Sequence, residues 1–248
     1  MIDPLHQFVI EPIIPLKIGG IDLSFTNSSL AVMSAVVAIY VLFMCGLRRE
    51  SLVPNRIQAA VEVSYSFIAN LIKSNSGREG LRYFPFVFSI FFFVFFGNLL
   101  GMIPYGFTFT SHLIVTFTLA MIVFLFVTIL GIIRHGTHFF SLFAPKGVHP
   151  LLLIVLVPVE LLSYLSRPIS LAVRLFANMM AGHTMMKVFA GFVTMLLALN
   201  SAMGTTAGLI PVIVNVALTG FEVVVSALQA YIFTVLTCVY LNDAIHLH

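Results

Sequence analysis

Leu161–His183 reads LLSYLSRPISLAVRLFANMMAGH. It lies inside an apolar run that extends from about Pro150 to Asn200, yet it carries Arg167, Arg174, Asn178 and His183. An arginine at the centre of a membrane span costs about 2.5–3.5 kcal/mol on insertion scales. Charges retained at that cost usually mark an ion or substrate path. The plainer alternative is an arginine paired with a carboxylate on a neighbouring helix for packing alone.

The rest of the chain makes the membrane setting the only consistent one. Of 248 residues, 60% are apolar and 8% charged, against about 25% charged in an ordinary globular chain. So few charges do not cover a water-facing surface. The 25 phenylalanines and 11 methionines suit a lipid-facing or lipid-buried interior. A net charge of +3 is too small to point to nucleic acid. At about 20 residues per span the length holds five or six membrane helices. The expected fold is therefore a single all-α polytopic membrane domain.

Working outward from Arg174, residues 1–28 are polar, punctuated by Pro and Gly, and carry Asp3, Glu11 and Asp22. The first basic residue is Lys17, and Pro4, Pro12 and Pro15 break the leader, so the first long apolar run is expected to stay as an anchor. That span is placed at 29–48 and ends at Arg48 and Arg49. Pro54 opens a segment, 53–75, in which Ile57, Val61, Ile68 and Leu71 recur at helical spacing, while Arg56, Glu62, Asn70 and Lys73 interrupt it. This pattern is that of an interfacial amphipathic helix. Spans follow at 83–103 and 113–133, joined by a short turn at Pro104–Ser111. A polar loop, 134–149, holds Arg134, His135, His138, Lys146 and His149. The last two apolar segments, 150–200 and 208–243, are separated by a Gly/Thr turn at Gly204–Gly208. At 1.5 Å per residue the first would be about 75 Å long and the second about 50 Å. Neither fits an upright crossing of a core about 30 Å thick, so a long tilted hairpin is expected.

Basic residues are distributed unevenly. Arg48, Arg49, Arg56, Lys73, Arg78 and Arg82 fall in one loop, Arg134 and Lys146 in another on the same face, and only Lys17 on the opposite face. By the positive-inside tendency the basic loops are cytoplasmic, or on the matrix side in an organelle. The N-terminus is then outside and the C-terminus inside.

The polar residues in the hairpin are ordered. At 100° per residue, Glu160, Ser163, Arg167, Arg174 and Asn178 lie within about 60° on one helix face, subject to a kink at Pro168. His183 is half a turn away from Arg174 and addresses another side, which favours two paths over one pore. On the final helix Asn215, Thr219, Glu222, Ser226 and Gln229 form a continuous stripe. A lone glutamate could serve helix–helix hydrogen bonding, whereas a stripe with an ionisable centre reads as the lining of a hydrated path. His183 and Glu222 make a plausible proton-handling couple, because an imidazole titrates near neutrality.

Other candidates are weaker. Asn98, in GNLLGMIPY, either lines a path or caps a packing contact. The HGTH of the polar loop is a poor metal-ligand arrangement and reads as solvated histidines. Cys45 and Cys238 read as small buried apolar residues. No metal or cofactor is expected. P-loop, GxSxG, HExxH and CxxC motifs are all missing, which disfavours an intramembrane enzyme. The absence of an internal repeat disfavours an inverted-repeat transporter.

LLSYLSRPISLAVRLFANMMAGH, preceded by GNLLGMIPY and followed by LQAYIFTVLTCVYLNDA, closely resembles subunit a of F-type ATP synthases. The opening DPLHQF and IGGIDLSFTNSS look like the alphaproteobacterial and mitochondrial branch. The resemblance implies a non-catalytic stator channel in the bacterial inner membrane, or its mitochondrial counterpart, working against a ring of c subunits. Peripheral-stalk b subunits, membrane lipids and, indirectly, the F1 sector would be its other partners. Two half-channels would carry protons to and from the ring carboxylates. Arg174 would face those carboxylates and block leakage, His183 and Glu222 would form the inlet pair, and Asn178 and Gln229 would be polar neighbours of the arginine. Glu160 and Ser163 would belong to the cytoplasmic-side half-channel. The histidine–glutamate inlet favours protons over sodium.

Overall fold

The computed structural model describes residues 6–15, 17–18, 21–22, 24–48, 53–103, 106–136, 138–139, 150–199 and 201–246. Asp3, Arg49, Pro104, Lys146 and His149, which figure in the reading above, lie outside the described residues. Six α-helices dominate: α1 (Asn27–Leu47), α2 (Arg56–Gly80), α3 (Phe84–Gly101), α4 (Leu113–His135), α5 (Pro150–Ala198) and α6 (Ala202–Ile245). Among the described residues, five helical stretches are long and apolar enough to cross a membrane: Asn27–Leu47, Arg56–Gly101, Leu113–His135, Leu152–Ala198 and Thr206–Ile245.

Some boundaries differ from expectation for identifiable reasons. The surface-type helix runs to Gly80 rather than 75, and Gly77, at φ +67°, breaks its course. Its buried stripe is Val61, Ile68, Leu71 and Ile72, while Ile57 is exposed. The connection between α5 and α6 is tighter than a Gly204–Gly208 turn. The Ser201 hydroxyl accepts from the Gly204 backbone N–H at 3.1 Å. This capping interaction starts α6 at Ala202. The glycines are absorbed into the helix, each at about 1 kcal/mol relative to alanine.

The chain divides into two compact units. Unit 1 comprises Met1–Tyr40, Phe92–His112 and Leu175–Ala230. Its N-terminal part forms two small antiparallel pairings, β1 (Pro12–Ile14) with β4 (Phe25–Thr26) and β2 (Lys17–Ile18) with β3 (Ile21–Asp22). The period-2 signal there is too short to read from sequence. Asn27 ties this part to the start of α1, donating to Val9 O at 3.0 Å and accepting from Glu11 N at 3.2 Å. Within the unit, α5 and α6 pair in opposite directions, since Asn178 meets Gln229 and Met186 meets Thr219.

Unit 2 comprises Val41–Phe91, Leu113–Arg174 and Tyr231–His248. Its core gathers Ile68 and Ile72 of α2, Val87 of α3, and Cys238, Leu241 and Ile245 of α6. Around it pack aromatic rings, among them Phe86 stacked on Phe126 with centroids 3.9 Å apart. The Ser76 hydroxyl donates to Cys238 O at 2.7 Å and links α2 to α6. Cys238 is buried as expected, whereas Cys45 is exposed on the chain surface. His135 is no free loop histidine: it ends α4 and its Nε2 lies 3.1 Å from Ala244 O.

Candidate functional site

In unit 1 the hairpin buries an imidazole and a carboxyl together. His183 of α5 and Glu222 of α6 are 7% and 4% exposed. Nε2 of His183 stands 3.6 Å from Oε1 of Glu222, within ion-pair reach but longer than a hydrogen bond. Neither Glu222 oxygen receives a hydrogen bond from a described residue. Gly182 makes room for this carboxyl. A Cβ there would lie 2.5 Å from Oε1 and 2.8 Å from the carboxyl carbon of Glu222.

A third group completes the arrangement from outside the hairpin. Thr108, 5% exposed, precedes a 3₁₀ turn at Phe109–Ser111. Its Oγ1 is 2.9 Å from His183 Nε2 and 3.1 Å from Gly101 O. A hydroxyl has one proton to give. If it goes to the Gly101 carbonyl, Oγ1 accepts from an Nε2–H; if it goes to Nε2, the imidazole carries its own proton on Nδ1. Thr108 thus couples to the tautomer of His183. The sequence explains its placement. A side chain on Gly101 would collide with Thr108, and one on Gly97 would fall 2.5 Å from the fully buried Phe109 ring. Two glycines one turn apart on α3 let the 106–112 segment approach the helix closely.

The polar stripe continues below this couple. Asn98, fully buried, donates to Ser226 O at 3.4 Å, while its Oδ1 has no hydrogen-bond partner among the described residues. The same holds for Thr110 Oγ1, Ser226 Oγ and Asn215 Oδ1. Gln229 is 3% exposed and accepts from Asn178 Nδ2 at 2.9 Å. Thr219 donates to Asn215 O at 2.8 Å and is itself exposed. Buried polar atoms are ordinarily satisfied. A concentration of under-used donors and acceptors around a carboxyl suits a path that exchanges protons with water.

Unit 2 holds the arginines. The apolar run around Arg174 suggests a buried arginine, but its side chain is exposed on the chain surface, beside the exposed Ile169 and Val173. It forms no ion pair with any described residue. The outward face of a membrane protein is apolar as well, so an apolar surrounding in sequence did not imply burial inside the chain. Arg167, on the same predicted stripe, is differently occupied. It pairs with Asp243 at 2.9 Å and lies over the Tyr164 and Tyr240 rings at 5.3 and 5.2 Å. Glu160 is half-buried and Ser163 exposed, and the structure gives neither side chain a hydrogen bond to Arg174.

The structure therefore brings together His183 with Glu222 and Asn178 with Gln229, and brings Asn98 to the backbone of Ser226. Among the described residues it gives the side chains of Arg174, Glu160 and Ser163 no hydrogen bond or ion pair to one another. Thr108, Gly101, Gly182 and Asp243 escaped the sequence reading. Thr108 sits in what reads as an ordinary turn, and Asp243 in a polar terminus, so neither carries an anomalous-charge signal.

Comparison with known proteins bears on the whole chain. The pattern of the family described as ATP synthase A chain matches residues 29–242. The chain is 53% identical over 245 residues to the ATP synthase subunit a of Parvibaculum lavamentivorans, covering 99% of this chain and 94% of the relative. It is 54% identical over 245 residues to that of Beijerinckia indica, covering 99% and 96%. It is 50% identical to that of Rhodospirillum rubrum over 248 residues, the full length of both.

Proposed function

We propose how this chain, which belongs to the ATP synthase A chain family and is a proton-translocating, non-catalytic membrane subunit of an F-type ATP synthase, moves its protons. The observation that carries the proposal is Arg174, an exposed guanidinium on an apolar helix surface with no ion pair among the described residues. A cation in hydrocarbon needs a counter-charge. Here that charge comes from outside the chain, as a carboxylate on the rotating c-ring. The guanidinium favours the ionised carboxylate, promotes release of its proton, and keeps protons from passing directly between entry and exit.

Entry is assigned to unit 1. A proton arriving from the outer face reaches the imidazole of His183 and the carboxyl of Glu222, 3.6 Å apart, and passes to a ring carboxylate that has lost its own. The unfilled hydrogen-bonding capacity of Asn98, Thr110, Asn215 and Ser226 supports a hydrated approach. Asn178 and Gln229, bonded to each other, hold the hairpin in register beside that path. Exit on the cytoplasmic side is assigned to Glu160 and Ser163. Each elementary charge crossing the full potential yields about 2.3 kcal/mol per 100 mV, which the ring converts to torque. The N-terminus lies on the outer side of the membrane and the C-terminus on the cytoplasmic side, an orientation that the uneven distribution of basic residues supports. The chain sits in the inner membrane, with the peripheral-stalk b subunits as its static partners.

Arg174→Ala and Arg174→Lys in the whole complex test the assignment. Both variants should assemble, and inverted vesicles carrying the alanine variant should show no ATP-driven acidification and a raised passive proton leak. ATP-driven pumping retained in Arg174→Ala would overturn the role given to this residue.

A further inference from the structure

Away from the proton-handling residues, unit 2 holds a cavity of about 700 Å³ lined by the end of α2, the 3₁₀ turn Leu81–Tyr83 that follows it, and the end of α4. Its lining combines two chemistries. Arg78 and Arg82 border it, and the Glu79–Arg134 ion pair closes one side. Tyr83, Leu130 and Ile133 supply the rest, and Ile133 is 78% exposed. Among the described lining residues Glu79 is the one carboxylate against three guanidinium groups, and Arg134 already occupies it. Arg78 and Arg82 form no ion pair with a described residue. The break at Gly77 (φ +67°, ψ −166°) ends the regular course of α2 immediately before Arg78. Arg78, in the last turn of α2, and Arg82, in the 3₁₀ turn Leu81–Tyr83, both border the cavity.

We infer that this cavity is a binding site for an anionic phospholipid, with the phosphate held by Arg78 and Arg82 and an acyl chain laid along Leu130 and Ile133. A free phosphate would satisfy the arginines but leaves the apolar wall unused. A purely apolar partner would strand two uncompensated cations. An anionic lipid meets both requirements at once, and the cavity lies at the end of two membrane helices, where headgroup and hydrocarbon adjoin. Basic pockets between helices on the cytoplasmic side are known to take such headgroups, and the surplus of basic residues puts this end of the chain on that side. The site is independent of the proton path, because no lining residue belongs to it.

The test uses the intact, detergent-solubilised ATP synthase and a photoactivatable phosphatidylglycerol. Labelling is expected on peptides containing Arg78–Tyr83 and Leu130–Arg134. Excess unlabelled phosphatidylglycerol should compete it away, while phosphatidylcholine and inorganic phosphate should not. Arg78→Gln with Arg82→Gln should cut labelling of those peptides about tenfold and leave labelling elsewhere unchanged. Equal competition by phosphate would mean a free-anion site, and equal competition by phosphatidylcholine an unselective lipid annulus. Unchanged labelling in the double variant would remove the arginines from the site, and a cross-link from Arg82 to another subunit that excludes the lipid would assign the cavity to a protein partner. Any of these overturns the inference. Should the double variant not assemble, Arg82→Gln alone and the wild-type competition series decide it.

Discussion

The two compact units handle polar groups in opposite ways. In unit 2 several polar side chains find partners within the unit. Arg167 meets Asp243 between two tyrosine rings, Arg134 meets Glu79, Ser76 reaches a carbonyl, and the Thr128 and Tyr164 hydroxyls bond at 2.6 Å. In unit 1 polar atoms are buried more deeply yet matched less completely. Both oxygens of Glu222 and one polar atom each of Asn98, Thr110, Asn215 and Ser226 accept or donate no hydrogen bond among the described residues. A closed pair is stable in one charge state and resists change. A group that must gain and lose a proton in turn has to be tolerated in both states, so its surroundings cannot be completed for either one. Unit 2 reads as scaffold, with Arg174 as an outward-facing guanidinium that has no ion pair among the described residues, beside exposed Ile169 and Val173, and unit 1 as the exchanging part.

The sharpest way to break this contrast is at Glu222. Glu222→Gln keeps the shape and removes the titrating group, so proton-driven ATP synthesis in reconstituted vesicles should fall to background. Glu222→His combined with His183→Glu should retain more activity than either single change. A double variant worse than both singles would argue that the two do not act as a couple. Gly182→Ala should come next. The added methyl, 2.5 Å from Glu222 Oε1, must displace the carboxyl, and roughly a tenfold loss of pumping is expected by analogy with misplaced reacting groups. Pumping at the normal rate would show that the carboxyl has room the structure does not suggest.

Smaller effects sharpen the boundary between the units. Thr108→Val removes the hydroxyl shared with His183 Nε2. Losing about 1 kcal/mol predicts a pumping rate down roughly fivefold, with recovery in Thr108→Ser. At Arg167 the opposite pattern is expected. Arg167→Gln leaves Asp243 unpaired and should lower the temperature of thermal disassembly by an amount corresponding to about 1–2 kcal/mol. Pumping per assembled complex should stay within about twofold on the same reasoning. Asp243→Asn in the same chain should restore part of the stability. A large pumping defect without a stability change would place Arg167 among the exchanging groups instead.

The helical class, the number of spans and the pairing of His183 with Glu222 were legible along the chain because the bilayer constrains sequence so strongly. Twenty apolar residues announce a span, and a charge inside one is costly enough to stand out. Pattern alone also put Arg174 and His183 on different sides of α5, and the structure has one exposed and the other buried. Where each charge finds its partner was not legible. Arg167 and Arg174 look alike in sequence, two arginines on one predicted stripe. Only the packing of unit 2 gave Arg167 an aspartate and two aromatic rings and left Arg174 facing outward. Thr108, Gly101 and Gly182 were silent for a related reason, since their part depends on approaches of 2.5–3.1 Å between segments far apart in the chain. Hydrophobic periodicity reports the solvent that a residue faces; which side chain it touches is settled by the tertiary structure, because contact distances arise only when the helices pack.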